Sequence, residues 1–357
     1  MQKKKIVHVI DNLVRGGAET LLVDLLPDLV KEYHITLVTL SPELEFEREQ
    51  LACDEYISLQ FTGPRSVFST ANKLKDIIRK IKPDLVRTQL FWSTIVGRLA
   101  CPKEIPLFFS IHNAMNEDPI AWYKKEFLNV VERWSYRRYH NMIGVTNAVI
   151  DSFKKVHRGA VGKTFLLNNY VRDAFFSHPY TENYRPGKEL RIVAVSNLKK
   201  IKNIPYMLEV MRELRNEPVS LTIIGDGEFR EMTEQYILDH GLKVTLKGKI
   251  KNVDEVLPQY DLFISVSMAE GFGIAVAEAM SIGLPVVISD IPVYREVCGD
   301  KAVFVNNTNV ASLAEVLRKI MNGQLLLPEM SRAAQLYAAD QFSKKGYIDK
   351  LKKIYNS

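Results

Sequence analysis

The chain is expected to be an α/β protein built of two Rossmann-like domains in tandem, and three observations lead there. Short apolar runs alternate with segments of helical periodicity, once over the first half and again over the second, a pattern that specifies parallel sheets covered by helices. A polar stretch from Arg172 to Lys188, carrying Pro179, Pro186 and Gly187, interrupts that rhythm as a linker does. The length of 357 residues, 46% of them apolar and 25% charged, suits two soluble domains of ordinary size and excludes disordered and fibrous classes.

Taken in order, the first series places strands near Lys5–Ile10, His34–Leu40, Leu85–Gln89, Leu107–Ile111 and Met142–Val145, with helices such as Ala18–Val30, Val67–Ile81 and Tyr123–Tyr139 between them. The basic start, Met1 to Lys5, precedes an apolar run of only Ile6 to Ile10, interrupted by His8 and followed by Asp11; this is a first strand and not a signal peptide. The second series places strands near Leu190–Val195, Ser220–Ile224, Val244–Lys247, Asp261–Ser265, Pro285–Ile288 and Ala302–Val305, and closes with amphipathic helices Met330–Ala339 and Lys344–Tyr355. Domain boundaries are therefore expected at 1–171, a linker at 172–188, and 189–341.

Composition narrows the function. Lys and Arg exceed Asp and Glu by 48 to 42, a balance too even to imply nucleic acid. Cys53, Cys101 and Cys298 lie far apart without metal-ligand spacing, so free thiols in a reducing compartment are expected, with no disulfide and no structural zinc. No stretch has the apolar length needed to span a bilayer, and the expectation is a cytoplasmic protein, peripheral at the inner membrane face at most.

The chemistry is concentrated at Glu270-Gly271-Phe272-Gly273-Ile274-Ala275-Val276-Ala277-Glu278. A short buried strand precedes it and a helix, Ile274–Ile282, follows, making a strand-loop-helix turn. Unpaired N–H groups at such a helix start favour an anionic group, and the glycines allow close approach to the main chain; a diphosphate fits. Glu270 in the loop and Glu278 in the first helical turns are not arranged as a glycosidase acid and base, and each more plausibly accepts from separate hydroxyls.

Over Ser265–Pro285 the chain resembles the retaining glycosyltransferases of family 4, which carry a Glu-x7-Glu motif in a GT-B fold. Gly16-Gly17-Ala18-Glu19, Lys202-Asn203 and Ile223-Ile224-Gly225-Asp226-Gly227-Glu228 stand in the order and spacing of that family, so the resemblance covers nearly the whole chain. It implies a cleft between the two domains, with the final helix, within 342–357, crossing back onto the N-terminal domain. It also implies that Glu278 binds the ribose hydroxyls and Glu270 a hydroxyl of the donor sugar. Backbone N–H groups of Phe272, Gly273, Ile274 and Ala275 would meet sugar and phosphate oxygens, with Gly271 among the donor-binding residues.

Other sites follow from both sources. The loop Asn12–Gly17 after the first strand lacks dinucleotide GxGxxG spacing, which counts against a dehydrogenase. By resemblance Gly16 and Gly17 close on the donor phosphates or acceptor; the plainer reading is a helix-start turn. His112 ends an apolar strand, and by resemblance lies beside the donor sugar. Lys202 supplies a point charge for a departing diphosphate. The family usually carries an Arg where this chain has Asn197, and Lys199 or Lys200 would compensate. Gly225, Asp226 and Gly227 make a sharp turn under a bound nucleotide, and by resemblance Lys249 with Ile250 borders the base. The helix Tyr123–Tyr139 gathers Tyr123, Phe127, Val130, Val131 and Trp134 on one face. Its bland reading is an apolar face packed on the sheet with a solvated basic face; the other is a surface for acidic membrane.

The function expected is thus a retaining, metal-independent hexosyltransferase needing no cofactor. It would use a nucleotide-sugar donor, UDP-sugar before GDP-sugar, and a saccharide or lipid-linked acceptor in cell-surface polysaccharide synthesis. A sugar-nucleotide hydrolase, epimerase or phosphorylase would instead release or convert sugar without an acceptor. A non-catalytic sugar-nucleotide-binding protein would bind donor without turnover.

Overall fold

A computed structural model describes residues 3–113, 122–159, 161–177 and 188–357, which fold as two compact units. The first takes the described residues up to Asn168 together with Asp349–Ser357, and the second those from Asn169 to Ile348.

The first unit is a seven-stranded, wholly parallel sheet in the order β3-β2-β1-β4-β5-β6-β7. Its strands are β1 (Lys4–Ile10), β2 (Tyr33–Thr39), β3 (Glu55–Ser58), β4 (Leu85–Gln89), β5 (Leu107–Ile111), β6 (Asn141–Gly144) and β7 (Thr164–Leu166). Between them run α1 (Gly17–Glu32), α2 (Val67–Ile81), α3 (Phe91–Ala100), α4 (Trp122–Ser135) and α5 (Asn147–Val156). The central strands carry Val7, Val9, Val38, Val86 and Leu107 into a core shared with Leu74 and Ile78 of α2 and Ile95 and Val96 of α3. Strand order reverses between β1 and β4, which opens a crevice at their carboxyl ends.

The second unit is a six-stranded parallel sheet, β10-β9-β8-β11-β12-β13. The strands are β8 (Leu190–Val195), β9 (Val219–Ile224), β10 (Val244–Gly248), β11 (Leu262–Ser265), β12 (Val286–Ser289) and β13 (Val303–Val305). Its helices are α6 (Ala174–Ser177), α7 (Ile204–Glu213), α8 (Arg230–His240), α9 (Val253–Val256), α10 (Ile274–Ile282), α11 (Pro292–Cys298), α12 (Val310–Met321) and α13 (Leu327–Gln341). Here the order reverses between β8 and β11. The stretch expected as linker contains α6, whose Phe175 is buried against α10, while residues 178–187 lie outside the described ones. The final helix, α14 (Lys344–Tyr355), ends in the first unit, where the Arg87 guanidinium donates to the Tyr355 hydroxyl at 2.9 Å. All three cysteines are free thiols.

Helix α4 corrects the plainer expectation for its apolar face. Tyr123, Phe127, Val130 and Trp134 are exposed, whereas Glu132 and Ser135 are buried. Of the expected face only Val131 packs against the core, and a buried polar contact anchors the helix beside it. Arg98 of α3, its side chain wholly buried, donates to Glu132 at 2.5 Å, lies 3.3 Å from the Ser135 hydroxyl and stacks over Phe109 at 4.0 Å. Burial alone would raise the Glu132 pKa, but the Arg98 charge and hydrogen bond, with the His157 ring 3.6 Å away, bring it below the ordinary carboxylate range. Removing one partner strands the other charge, so Glu132→Ala is expected to cost about 3–5 kcal/mol of unfolding free energy in urea titrations of the first unit. The paired replacement Arg98→Met with Glu132→Leu is expected to cost far less, since it leaves no buried charge behind.

Candidate functional site

In the second unit the loops at the carboxyl ends of β8, β9, β10 and β11 form one platform, and backbone hydrogen bonds fasten them. Ser196 N–H donates to Ile224 O at 2.8 Å, Leu198 N–H to Asp226 O at 3.1 Å, Phe229 N–H to Leu198 O at 3.0 Å, and Gly225 N–H to Gly248 O at 2.8 Å. The loops lie so close that a Cβ on Gly225 would sit 2.1 Å from Ser196 O, and one on Gly227 2.6 Å from Leu198 O. Gly225 and Gly227 are thus required by contact between neighbouring loops, whatever binds above them. Asp226 accepts from Gly227 N–H at 2.8 Å and faces Arg230 at 3.7 Å, so its carboxylate serves the turn itself. Asn197 and Lys249 are exposed and Ile250 is half-buried, each flanking the platform.

Glu270, expected on a sugar hydroxyl, and Lys202, expected on the diphosphate, are partners in space: Lys202 Nζ lies 2.5 Å from Glu270 Oε1. Two further donors meet the same oxygen, the Ser267 hydroxyl at 2.8 Å and the Tyr294 hydroxyl at 3.2 Å. Met268 N–H donates to Ile201 O at 2.8 Å, which ties the loop of Lys202 to that of Glu270. Asn203, with φ 56°, turns the first loop into α7, and its side-chain amide donates to Asn307 O at 2.8 Å; Asn307 in turn donates to Ser267 O at 2.9 Å.

The turn into α10 rests on Tyr294 of α11. Its buried hydroxyl bridges Ser265 at 2.6 Å and Glu270, and its ring lies beneath Gly273, where a Cβ would come within 2.5 Å of Cε1. Gly273 also has φ +84°, so both backbone and space demand glycine there. It accepts from Val276 and Ala277 N–H, which leaves the earlier N–H groups of Ile274 and Ala275 without partners inside the helix. Phe272 is buried and meets Phe342 edge-on, holding Gly271 and Gly273 on either side of a fixed point.

Glu278 lies one turn further along α10. Burial pushes its carboxyl up to about 7, against the opposing pull of Arg172, with Asp254 adding to the rise. It is therefore a carboxylic acid that ionises near neutrality, beside a helix start.

The remaining expected residues, His112, Gly16 and Gly17, belong to the first unit. His112 follows β5 and completes a chain across β1, β4 and β5: His8 Nε2 to Gln89 Oε1 at 2.9 Å, then Gln89 Nε2 to His112 Nε2 at 3.4 Å. Burial and the Arg87 charge hold His112 down at about 4, so it is a neutral imidazole at ordinary pH. Since the Gln89 amide donates to Nε2, the proton of His112 sits on Nδ1. Gly16 is extended (φ −134°) and caps α1, which begins at Gly17; neither residue has the positive φ that only glycine accepts readily.

Sequence reasoning did not single out Tyr294, Ser267 and Asn307 in the second unit, nor Asp11, Gln89 and Leu90 in the first. Asp11 accepts from the N–H groups of Trp92 at 3.3 Å and Ser93 at 2.6 Å, capping α3 at the strand-order reversal. Leu90, just before α3, holds φ 75° and ψ 175°, a strained backbone for a side-chain-bearing residue. Asp11, directly after the first strand, had a readable position; Leu90 and Tyr294 had none. Among the described residues no group of three or more His, Cys, Asp or Glu is placed to hold a metal ion.

The sequence model of the family described as glycosyl transferases group 1 matches residues 181–338, and that of glycosyltransferase family 4 matches residues 15–171. The poly(ribitol-phosphate) alpha-N-acetylglucosaminyltransferase of Staphylococcus aureus strain COL is 23% identical over 255 residues, 69% of this chain and 50% of that protein. The O-antigen biosynthesis glycosyltransferase WclY of Escherichia coli is 20% identical over 366 aligned residues, 99% of this chain and 98% of that protein. The match therefore spans only half the length of the first relative and nearly all of the second. Among solved structures, HepE of Anabaena in complex with UDP and glucose superposes with a TM-score of 0.81 at 18% identity, covering 99% of this chain and 100% of that one. This last likeness speaks for the fold.

The raised pKa of Glu278 makes a directional prediction. Between about pH 4.5 and 7 the folded protein keeps a proton that the unfolded chain releases, so this carboxyl's contribution to stability is lost as pH rises through 7. Glu278→Gln, neutral at every pH, is expected to melt close to the native protein at pH 5 and roughly 5 °C above it at pH 8. An equal gap at both pH values in differential scanning calorimetry would assign the burial penalty to another group.

Proposed function

We propose, on the premise that this chain is a glycosyltransferase family 4-like protein of the GT-B fold, that it is a retaining hexosyltransferase. It uses a nucleotide diphosphate sugar as donor and a saccharide or lipid-linked saccharide as acceptor in cell-surface polysaccharide synthesis. The observation that carries this reading is the convergence of Lys202, Glu270 and the α10 N-terminus on the edge of one sheet. The relatives named for acetylglucosaminyl transfer and O-antigen synthesis, and the neighbour holding UDP and glucose, support the donor and acceptor classes and favour a UDP-sugar.

Each residue then has a stated task. The Ile274 and Ala275 N–H groups and the helix dipole meet the diphosphate, and Lys202, held in place by Glu270, shares the charge that grows on the leaving group. All three donors to Glu270 meet Oε1, so Oε2 is the oxygen that accepts from a hydroxyl of the donor sugar. Glu278, ionised, accepts the two ribose hydroxyls. His112 of the first unit stays neutral and keeps its Nδ1–H as a donor, without trading protons with solvent near pH 7. For a retaining transfer the acceptor oxygen forms its bond to C1 on the face from which the C1–O(phosphate) bond breaks. The acceptor proton passes to a departing phosphate oxygen. Charge compensation by Lys202 and the helix start makes this chemistry independent of a metal.

Calorimetric titration with UDP, GDP and ADP, each with and without magnesium, tests the reading. The expected result is tightest binding of UDP, indifferent to magnesium, and at least about tenfold weaker in Glu278→Ala, where the lost hydrogen bonds are charge-assisted. Binding that ignores Glu278, or that requires magnesium, would overturn the donor site as drawn.

A further inference from the structure

The most unusual surface of the molecule lies on α4. Tyr123, Phe127, Val130 and Trp134 follow one another at i, i+4, i+7 and i+11, the spacing of a helix's single apolar stripe, and a packed helix would bury them. They are instead 58%, 52%, 51% and 48% exposed, and Trp122 at the helix start is 80% exposed. Phe68 of α2, 64% exposed, extends the stripe by meeting Trp134 edge-on at 5.9 Å. Trp122 also meets Tyr123 at 6.2 Å, and these side chains gather on one face as an apolar, mostly aromatic band, unlike the singly scattered apolar residues of an ordinary surface.

The charge around the band identifies its occupant. Lys124, Arg137 and Arg138 are exposed on or directly after α4, while Lys125 is half-buried. Glu126 is matched by Arg133 at 2.7 Å, and Glu132 is buried in its pair with Arg98. The solvent side of the band is therefore basic and aromatic together, the combination that seats a helix in the headgroup layer of an anionic bilayer. A second copy of the chain fits less well. A twofold contact would set this basic rim against its own image, and like charges would face each other around the buried stripe. No described helix is long and apolar enough to cross a membrane, so the contact is a peripheral one.

We propose that the α4 band is a docking surface for an anionic lipid bilayer, with Trp122, Phe127 and Trp134 inserted at headgroup level and the basic side chains on lipid phosphates. It holds whatever sugar the protein transfers, and it places the first unit against the surface where a lipid-linked acceptor would reside.

Flotation of the chain with vesicles of phosphatidylcholine alone, and of phosphatidylcholine mixed with phosphatidylglycerol, provides the test. Partitioning is expected to be at least about tenfold stronger onto the anionic vesicles, to weaken at high salt, and to shift tryptophan emission to shorter wavelength. The doubly substituted Trp122→Ser/Phe127→Ser is expected to lose about tenfold or more in partitioning. Lys124→Glu/Arg138→Glu is expected to lose the preference for anionic lipid. All four residues are exposed, so melting temperature and UDP affinity are expected to stay at native values. That separates a failure here from a failure of the donor site. Equal binding to neutral vesicles, no binding, or undiminished binding by the serine variant would overturn the proposal. So would a dimer in lipid-free buffer, seen by analytical ultracentrifugation, that the same serine substitutions abolish; the band would then be an interface between copies.

Discussion

The candidate donor site depends on one half-buried carboxylate. Glu270 Oε1 collects Lys202, Ser267 and Tyr294, and these three donors come from the loop after β8, the loop after β11 and helix α11. Removing such a charge from water is costly unless its lone pairs are filled, and here filling them requires three separate segments to arrive at one point. The backbone bond from Met268 to Ile201 and the Asn203–Asn307–Ser267 relay make the same junction at short range. Geometry at this point is therefore over-determined: displacing any one segment leaves a buried donor or acceptor unmet. Such redundancy fixes a functional group before a ligand arrives, and preorganisation of this kind is what electrostatic stabilisation of a leaving group needs.

Glu278, eight residues on, shows the opposite environment. It sits on the same strand-loop-helix turn, yet burial outweighs the attraction of Arg172 and raises its carboxyl to about 7. Helix dipoles favour negative charge at the first turn, and that benefit fades within it. Glu278 lies just beyond, so desolvation dominates. The two glutamates of one motif are thus held differently, one by donors and one by exclusion of water. A hydroxyl-bearing ligand has more to offer the second, which gains partners for an anion that the fold alone stabilises poorly. The neutral His112 follows the same logic in the first unit, where burial and Arg87 suppress its charge and Gln89 selects its tautomer.

The sheets were legible because short strand-length runs rich in apolar residues alternate with segments of helical periodicity. Leu85–Gln89, Leu107–Ile111 and Leu190–Val195 are expected and observed over the same residues. Strands β3 and β7 were not expected; they close the edges of the first sheet, and Glu55, Tyr56, Thr164 and Phe165 are only partly covered, so their sequence carries no continuous apolar signal. Within the site, glycine spacing and the two glutamates were readable because they are local. What could not be read was whatever comes from far along the chain. Tyr294 reaches Glu270 across 24 residues and supports Gly273 from beneath, and nothing in its own neighbourhood marks it. Gly225 and Gly227 were read as ligand-facing turns, and close contact between loops proves to be the tighter constraint.

Helix α4 shows why hydrophobic periodicity alone misassigned a face. Periodicity locates an apolar stripe but does not say what competes for the inside. Here the competitor is Arg98, wholly buried and stacked over Phe109, which needs a carboxylate in the same dry place. Glu132 lies roughly half a helical turn from the stripe, so burying Tyr123, Phe127, Val130 and Trp134 would rotate Glu132 into water and strand the guanidinium. Unpairing a buried charge costs several kcal/mol, and rotation would also withdraw Val131 from the core it packs against. The Arg98–Glu132 pair and Val131 together hold the rotation that leaves the aromatic stripe outward.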